Sequence, residues 1–257
     1  LPESFADRMR DKPALYRRTR KVFDQLTPDE HREAIRHYLA YCTYEDALFG
    51  ELLAELEACD PAGNTVVVFL SDHGDYLADH GLWCKGLPAF RGAYHIPCVV
   101  GGAVPGLAAG REVDAFVSLV DFAPTLLELA GCPPPPSRPD GARSLVPWLR
   151  GETPAWRDAV FTQSNGNELY GIQRSITTGR WKYVYNGFDD EELYDLSADP
   201  GETRNLAGDP DRRDVIAELM TRIWRFARDH DDVCINPYIM VGHAPVGPGA
   251  AGRPPSP

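Results

Sequence analysis

A run of five apolar residues, Val66 to Leu70, constrains the fold of this chain most. Three of them are β-branched valines, and a short run of this kind favours a strand buried on both faces, as in a parallel sheet. Before it, apolar residues recur at helical spacing between 28 and 59, which predicts one long or two shorter amphipathic helices. A helix followed by a buried strand indicates an α/β fold, and a second apolar run at 96–100 predicts another strand.

The sequence changes character after residue 150, where short strand candidates alternate with turns. This pattern predicts a small antiparallel sheet, with strands at Ala159–Gln163, Ile172–Thr177, Trp181–Tyr185 and Glu192–Leu196. An amphipathic helix is predicted at 211–228, and the first 30 residues, which are charged, are expected to be a solvated surface segment. We therefore divide the chain into 1–150, an α/β part; 151–230, a sheet-plus-helix subdomain; and 231–257, an irregular tail.

The charge balance restricts the partners of the chain. It holds 26 basic and 38 acidic residues, a formal net charge of -12. Such a chain is a poor general binder of nucleic acid or anionic membranes, so we expect neither as a partner. It would also repel an anionic substrate unless local cations or a metal reversed the field. The six cysteines form no CxxC pair, which favours free, mostly buried thiols over a zinc ribbon.

The residues directly after the first predicted strand are the candidate site. Ser71, Asp72, His73 and Gly74 follow Leu70, and ligands in open α/β sheets bind beyond the carboxyl ends of strands. Carboxylate and imidazole groups both bind divalent metals, although an isolated Asp-His pair is more often a capped turn than a metal site. Lys85 follows 13 positions after Asp72. Its ammonium either binds an anionic oxygen at the site or belongs to a solvated surface lysine.

Several segments of the chain resemble one family. Residues 68–74 read Val-Phe-Leu-Ser-Asp-His-Gly, and His80-Gly81-Leu82-Trp83 and Lys85-Gly86 follow. Further segments at 117–127, 180–183 and 192–206 follow in the same order as in one family. Together these segments resemble the sulfatases and phosphonate monoester hydrolases of the alkaline phosphatase superfamily. The resemblance implies an α/β fold: the C-terminal part of an alkaline-phosphatase-like, mainly parallel sheet flanked by helices, plus a small antiparallel C-terminal subdomain.

The resemblance also implies roles for matching positions. Asp72 and His73 would be metal ligands of one divalent cation, most often calcium, with manganese or magnesium as alternatives. Lys85 would be catalytic and contact the sulfate and the leaving oxygen. His80 would be a second catalytic candidate, either through a substrate contact or through a contact that supports another residue. His95 stands where relatives often have Arg and receives no catalytic role, and the Asp-Pro-Gly-Glu-Thr segment at 199–203 is expected to be a structural turn.

Two family elements are not found in the sequence. Family enzymes carry a Cys-x-Pro-x-Arg segment, whose Cys becomes a formylglycine nucleophile, and an N-terminal acidic pair that completes the metal site. The segment from Cys132 to Arg138 is superficially similar, but its spacing and position differ, and it is interpreted as a Pro-rich connector. We therefore expect this chain to be a C-terminal half, inactive alone, with the formylglycine in a missing N-terminal part.

The expected activity of the complete enzyme is metal-dependent hydrolysis of an anionic sulfate ester. Two alternatives stay open. One is a phosphodiesterase or phosphonate monoester hydrolase of the same superfamily. The other is a non-catalytic half that acts as a binding subunit. Neither the compartment nor the oligomeric state is predicted by the sequence.

Overall fold

The computed structural model describes residues 1–61, 63–133, 141–166, 171–233 and 244–247. These ranges contain six α-helices, six strands and four short 3₁₀ helices. The α-helices are α1 (Ala14–Phe23), α2 (Pro28–Cys59), α3 (Arg91–Tyr94), α4 (Phe122–Leu129), α5 (Val146–Leu149) and α6 (Arg213–Asp229). The strands are β1 (Val66–Leu70), β2 (Cys98–Gly102), β3 (Ala159–Ser164), β4 (Gln173–Thr178), β5 (Trp181–Asn186) and β6 (Glu192–Asp195). The 3₁₀ helices lie at Glu3–Ala6, Asp79–Gly81, Leu119–Asp121 and Pro210–Arg212.

Helix α2 is a single helix of 32 residues, so the first of the two predicted alternatives is confirmed. Its start is fixed by a capping box, in which the Thr27 hydroxyl accepts from the Glu30 N–H at 3.3 Å and the Glu30 carboxylate accepts from the Thr27 N–H at 2.7 Å. Pro28 occupies the first helical position, where its missing N–H costs nothing. Only one α2 residue, His31, is buried.

Strands β1 and β2 form a two-stranded antiparallel sheet in which Val68 lies opposite Val100. The expectations of parallel pairing and of burial on both faces are therefore wrong for this pair. Phe69 is 44% exposed and Val99 62% exposed. Within the described residues, these two strands make up the whole sheet. No residue of either strand is fully buried, so the apolar run is only partly covered.

The predicted antiparallel sheet after residue 155 is confirmed, in the order β3-β4-β5-β6. Helix α6 packs on it through six residues at spacings of three and four, the period of one helix face: Ile216, Leu219, Met220, Ile223, Trp224 and Ala227. They enclose a core with sheet residues such as Ile176, Tyr183 and Leu193, each with 0% exposure. The predicted domain boundaries at 150 and 230 stay a prediction.

The expectation of a solvated segment over residues 1–30 is wrong for much of its length. Met9 and Tyr16 are completely buried in a second apolar cluster with Leu82, Phe90 and Tyr194. This cluster joins the N-terminal segment, the loop after β1 and strand β6. The chain is thus a mixed α/β fold, as predicted, whose N-terminal segment packs against the loop after β1 and against β6.

Two further expectations concern surfaces. Cys42, Cys59, Cys84, Cys98 and Cys132 are free, as predicted, but all five are exposed, so the predicted burial is wrong. Three of them lie on α2 and β2, which are largely uncovered. Cys234 lies outside the described residues. Within the described ranges, no helix is both long and apolar enough to cross a membrane.

Candidate active site

Asp72 and His73 follow directly on β1, and their side chains come together. Nε2 of His73 lies 3.4 Å from Oδ2 of Asp72, while the His73 N–H donates to Oδ1 of Asp72 at 2.9 Å. Nδ1 of His73 lies 2.8 Å from the carbonyl oxygen of Gly74, which can only accept. A neutral ring therefore carries its proton on Nδ1 and leaves the lone pair of Nε2 available beside Oδ2 of Asp72. The two side chains therefore lie close together at the end of β1.

This pair fits a divalent cation as part of a ligand set. An imidazole nitrogen and a carboxylate oxygen 3.4 Å apart can both face one ion. Calcium, however, takes about six to eight ligands. In the part of the chain that the structure describes, no group of three or more His, Cys, Asp and Glu side chains comes together to hold an ion. The pair therefore needs further ligands, and its role as a metal site stays a prediction.

The surroundings of Asp72 favour a charged carboxylate. The hydrogen bond from the His73 N–H is the main reason that the pKa of Asp72 lies below its ordinary value; slight desolvation opposes it, and the charges of His73 and Lys85 assist. Lys85 is exposed. Its ammonium is thus within electrostatic reach of the Asp72 carboxylate while remaining open to an anionic group. Asp72, His73 and Lys85 make up the candidate site.

His80 has a different environment from the other three predicted site residues. It is 1% exposed, and its Nδ1 lies 2.9 Å from Oδ2 of Asp7. Its ring stacks on Phe90 with 3.7 Å between centroids and 13° between planes. This enclosure favours the supporting contact over a contact with substrate, while a catalytic role for His80 stays a prediction.

The buried guanidinium of Arg20 holds the backbone at His80. It donates to the carbonyl oxygens of Phe5 at 3.1 Å, of Asp7 at 2.8 Å and of His80. A Cβ at position 81 would lie 2.2 Å from Nη1 of Arg20, so Gly81 provides the space for this close approach. The N-terminal segment and the loop before Lys85 are therefore joined through one side chain.

Asp7 lies at the centre of the same junction. Besides contacting His80, its Oδ2 lies 2.9 Å from the buried ammonium of Lys12. Burial alone would raise the pKa of Asp7, but hydrogen bonds from His80, Lys12 and the Met9 N–H outweigh it and lower the pKa to about 2. Asp7 therefore stays ionised well into the acidic range.

The C-terminal sheet contacts the loop between β1 and β2 at residues 89–91. Lys182 of β5 donates to the carbonyl oxygen of Ala89 and to Oε1 of Glu202, the latter at 2.5 Å. Oε2 of Glu202 accepts from the Arg91 N–H at 2.6 Å. The two side chains thus fix the backbone on both sides of Phe90. Residues 199–203, predicted as a structural turn, place Glu202 for this contact.

A third attachment comes from α2. The indole N–H of Trp83 donates to Nδ1 of His31 at 2.8 Å, and the two rings stack with 17° between planes. Lys85 lies two residues beyond Trp83, on a loop held by the N-terminal segment, by α2 and by the C-terminal sheet. This framework keeps the backbone around an exposed ammonium in place.

The remaining sequence features are His95 and the Pro-rich connector. His95 accepts from Nε of Arg91 at 3.0 Å and, with Asp79 and Glu202, lines a cavity of about 320 Å³. Burial, and then the charge of Arg91, lower the pKa of His95. The connector interpreted from Cys132 onward falls largely at 134–140, outside the described residues.

Sequence reasoning missed the residues that support the loop. Asp7 and Arg20 are common charged residues in a segment without a motif, and their partners lie 73 and 60 positions away. Lys182 and Glu202 had a signal, because both fall in segments that carry the family resemblance. No local pattern predicts that they contact the backbone at Ala89 and Arg91.

Comparisons with known proteins match the segments that carry the family resemblance. A family model described as N-sulphoglucosamine sulphohydrolase, C-terminal, matches residues 79–229. A second family model, described as Sulfatase, matches residues 9–132. Together the two matches include Asp72, His73, His80 and Lys85.

Individual relatives agree with these matches. The chain is 37% identical over 187 residues to a choline-sulfatase of Rhizobium meliloti, covering 72% of this chain and 35% of the relative. A protein solved in complex with its substrate D-glucosamine-2-N,6-O-disulfate is 28% identical, with a TM-score of 0.73 over 85% of this chain and 46% of that one. Phosphonate monoester hydrolase of Agrobacterium radiobacter is 30% identical, with a TM-score of 0.65 over 72% of this chain and 39% of that one. The chain thus spans about a third of the length of the curated relative.

Proposed function

Because the chain belongs to the sulfatase family, we propose that it forms part of an enzyme that hydrolyses a sulfate ester. The observation that carries this proposal is the pairing of Asp72 and His73 at the end of β1, with the exposed ammonium of Lys85 in electrostatic reach. This arrangement combines a partial cation site with a separate positive charge. Each of these would help an overall acidic chain to attract an anionic ester.

Sulfatases typically use a divalent metal, and we propose calcium for this one. Oδ2 of Asp72 and Nε2 of His73 would hold it, with the remaining ligands from the part of the sulfatase fold that this chain does not span. When bound, such a cation polarises the oxygens of the sulfuryl group. Asp72 contributes a carboxylate that stays ionised, and Nδ1 of His73 stays protonated because it faces the Gly74 carbonyl oxygen.

Lys85 would bind the sulfate group and stabilise negative charge on the leaving oxygen. Its ammonium is a compact point charge on a flexible stem, so its effect depends on how well its backbone is held. His80 would act through that backbone by stacking on Phe90 and contacting Asp7. The nucleophile is proposed to be a formylglycine from the part of the family fold outside this chain.

The test is Lys85→Ala in a polypeptide that also carries the remaining part of the sulfatase fold. Loss of a preorganised charge at a developing oxyanion typically lowers the rate by about 10²–10³. We expect kcat on an aryl sulfate to fall by that factor with unchanged circular dichroism. Lys21→Ala is the matched control, because Lys21 is an exposed lysine in α1. Turnover of Lys85→Ala equal to that of the control would show that Lys85 is only a surface residue.

The phosphonate monoester hydrolase alternative rests on the 30% identity to the Agrobacterium radiobacter enzyme. Comparing kcat/KM for matched aryl sulfate and aryl phosphonate monoesters in the same polypeptide separates the two. We expect the sulfate to be preferred. A preference for the phosphonate would transfer the proposal to that activity, with the same roles for Asp72, His73 and Lys85.

The binding-subunit alternative predicts a different property of the isolated chain. With Asp72 and His73 as its only two proposed ligands, we expect this chain to bind calcium weakly and to have negligible sulfatase activity. Isothermal titration with calcium measures the first expectation. Tight, stoichiometric binding that Asp72→Asn abolishes would favour the binding subunit.

A further inference from the structure

Two residues close behind the Asp72–His73 pair reach across to the backbone next to Lys85. They are Asp75 and Tyr76. Oδ1 of Asp75 accepts from the Cys84 N–H at 3.1 Å, and the Tyr76 N–H donates to the Cys84 carbonyl oxygen at 2.9 Å. The two peptide groups of Cys84, the residue before Lys85, are therefore bound to the chain that leaves the pair.

The Tyr76 side chain holds the backbone on the other side of Lys85. Its hydroxyl donates to the Pro88 carbonyl oxygen at 2.6 Å and accepts from the Gly86 N–H. The Tyr76 side chain is 3% exposed and packs in an apolar cluster with Phe90, so this packing fixes the position of the hydroxyl. The backbone is thus held immediately before and immediately after Lys85.

The loop between these contacts depends on them, because its backbone is unusual. Four of its non-glycine residues have left-handed φ values between 48° and 72°: Leu77, Ala78, His80 and Cys84. Such residues keep this conformation only where the surrounding structure imposes it. Oδ1 of Asp75 also accepts from the Leu77 N–H at 2.8 Å, so one oxygen binds the first and the last of the four. Loss of that acceptor should let the loop relax and shift the residue after Cys84.

We infer that Asp75 and Tyr76 are positioning residues, which set where the ammonium of Lys85 lies relative to the Asp72–His73 pair. Lys85 is exposed on a flexible stem, so the place of its ammonium depends on its backbone. The N-terminal segment, α2 and the C-terminal sheet hold other parts of the loop, whereas Asp75 and Tyr76 hold the residues that flank Lys85. The expected effect on turnover rests on the proposed function, while the expected effect on structure rests on these contacts alone.

Asp75 acts here as a hydrogen-bond acceptor rather than as a charge. Both N–H groups meet the same oxygen, Oδ1, and the side-chain oxygen of an asparagine also accepts two hydrogen bonds. Asp75→Asn therefore keeps the contacts, and Asp75→Ala removes them. A metal ligand or a general base would instead act through the carboxylate charge, so the two substitutions separate these roles.

The first test is hydrogen exchange in this chain, followed at single amides by NMR. Asp75→Ala should speed exchange of the Cys84 N–H, and Tyr76→Phe that of the Gly86 N–H, each by about tenfold or more, because each removes the acceptor. Asp75→Asn should leave Cys84 within about threefold of wild type. Asp214→Ala, at an exposed acid in α6, is the control and should change neither amide. Unchanged exchange in both Asp75→Ala and Tyr76→Phe would overturn the inference.

The second test is a double-mutant cycle in the polypeptide that also carries the remaining part of the sulfatase fold. Asp75→Ala and Tyr76→Phe should each lower kcat on an aryl sulfate by about 10- to 100-fold with little change in KM, because a misplacement of about 1 Å has effects of that order. In a Lys85→Ala background, either change should have less than about a twofold effect, because a positioning residue acts only through the residue that it holds. Asp75→Asn should recover most of the kcat that Asp75→Ala loses.

The outcomes distinguish two failures. Wild-type kcat in Lys85→Ala would refute the role of Lys85 in the proposed function, while faster exchange at Cys84 and Gly86 would still support the positioning contacts. A loss in Asp75→Ala that persists undiminished in the Lys85→Ala background would overturn the inference. So would a loss in Asp75→Asn equal to that in Asp75→Ala, because Asp75 would then act through its charge.

Discussion

Two regions of the molecule carry apolar residues at regular spacing. The first is the β3–β6 sheet with α6, and the second is α2 with β1 and β2. Only the first region encloses its apolar residues. Ile176 and Leu193 have 0% exposure in the C-terminal sheet, whereas Leu52 and Val99 are both 62% exposed. The secondary structure of both regions follows from local pattern. Burial depends on whether a complementary surface is present, and in the first region α6 supplies it within the same chain.

The comparison also shows what a partner within the chain contributes. The C-terminal core combines one helix face with one sheet face, which is enough to exclude water from Tyr183 and Trp224. In the other region, the helix contacts the sheet through Phe49 and Phe69 and leaves most of its surface free. Stability should therefore be distributed unevenly, and substitutions of similar residues should have very different effects.

The largest difference is expected from removing a large side chain in each region. Trp224 is 2% exposed, lies against Tyr185 and donates to the Val246 carbonyl oxygen at 2.6 Å. Trp224→Ala should lower the free energy of unfolding by about 3–5 kcal/mol, because it leaves a cavity and an unpaired acceptor. Leu52→Ala in α2 should change it by less than about 0.5 kcal/mol. Urea denaturation measures both, and equal losses would mean that the two regions are packed alike.

A smaller effect is expected at Asp7, which joins the N-terminal segment to the loop after β1 through His80. Its folded-state pKa of about 2 lies below the ordinary 3.8. The stabilisation is therefore present above about pH 4 and is lost as the pH falls through about 2. Asp7→Asn should lower the free energy of unfolding at pH 7 by about 2 kcal/mol and flatten its decline between about pH 4 and 2.

Asp46→Asn is the control for this change, because Asp46 is an exposed acid on α2. The free energy of unfolding of the control should follow the wild-type pH dependence. If Asp7→Asn also followed it, the contact between Asp7 and His80 would contribute too little to hold the N-terminal segment against that loop.

The smallest effect concerns the start of α2. Because α2 has little tertiary packing, its local interactions carry a larger share of its stability. Thr27→Ala removes the capping box and should destabilise the helix by about 1 kcal/mol, seen as reduced ellipticity at about 222 nm in the free chain. Thr43→Ala, which removes only a hydroxyl contact with the Leu39 carbonyl within the helix, should leave the signal unchanged or raise it. A loss at Thr43 equal to that at Thr27 would contradict the role of the cap.

The sequence was sufficient where structure depends on neighbouring residues. The helical spacing of apolar residues between 28 and 59 predicted α2, and the short strand patterns after residue 150 predicted the antiparallel sheet. It was misleading where structure depends on distant contacts. Val66–Leu70 has the composition of a strand buried on both faces, and in this chain its last two residues are exposed. Composition records what a strand can bury, and only the three-dimensional arrangement shows whether something covers it.

The candidate site divides in the same way. Asp72 and His73 are adjacent in sequence, so their closeness at the end of a strand could be predicted from the motif. Lys12 and Arg20 are charged residues that are usually exposed, and both are buried here because backbone carbonyl oxygens and carboxylates surround them. Those partners come from remote parts of the chain, so no local pattern predicts them.

The enclosure of Lys12 and Lys182 has a consequence for the amine chemistry of this protein. The chain has only four lysines, and these two are 0% and 5% exposed. An acylating reagent that reacts with solvent-accessible side-chain amines would therefore reach chiefly Lys21 and Lys85 in the folded state. Lys21 then serves as an internal reference. The ratio of acylation at Lys85 to that at Lys21 reports the accessibility of the Lys85 amine, and it should fall when an anionic group or a cation near Asp72 shields that amine.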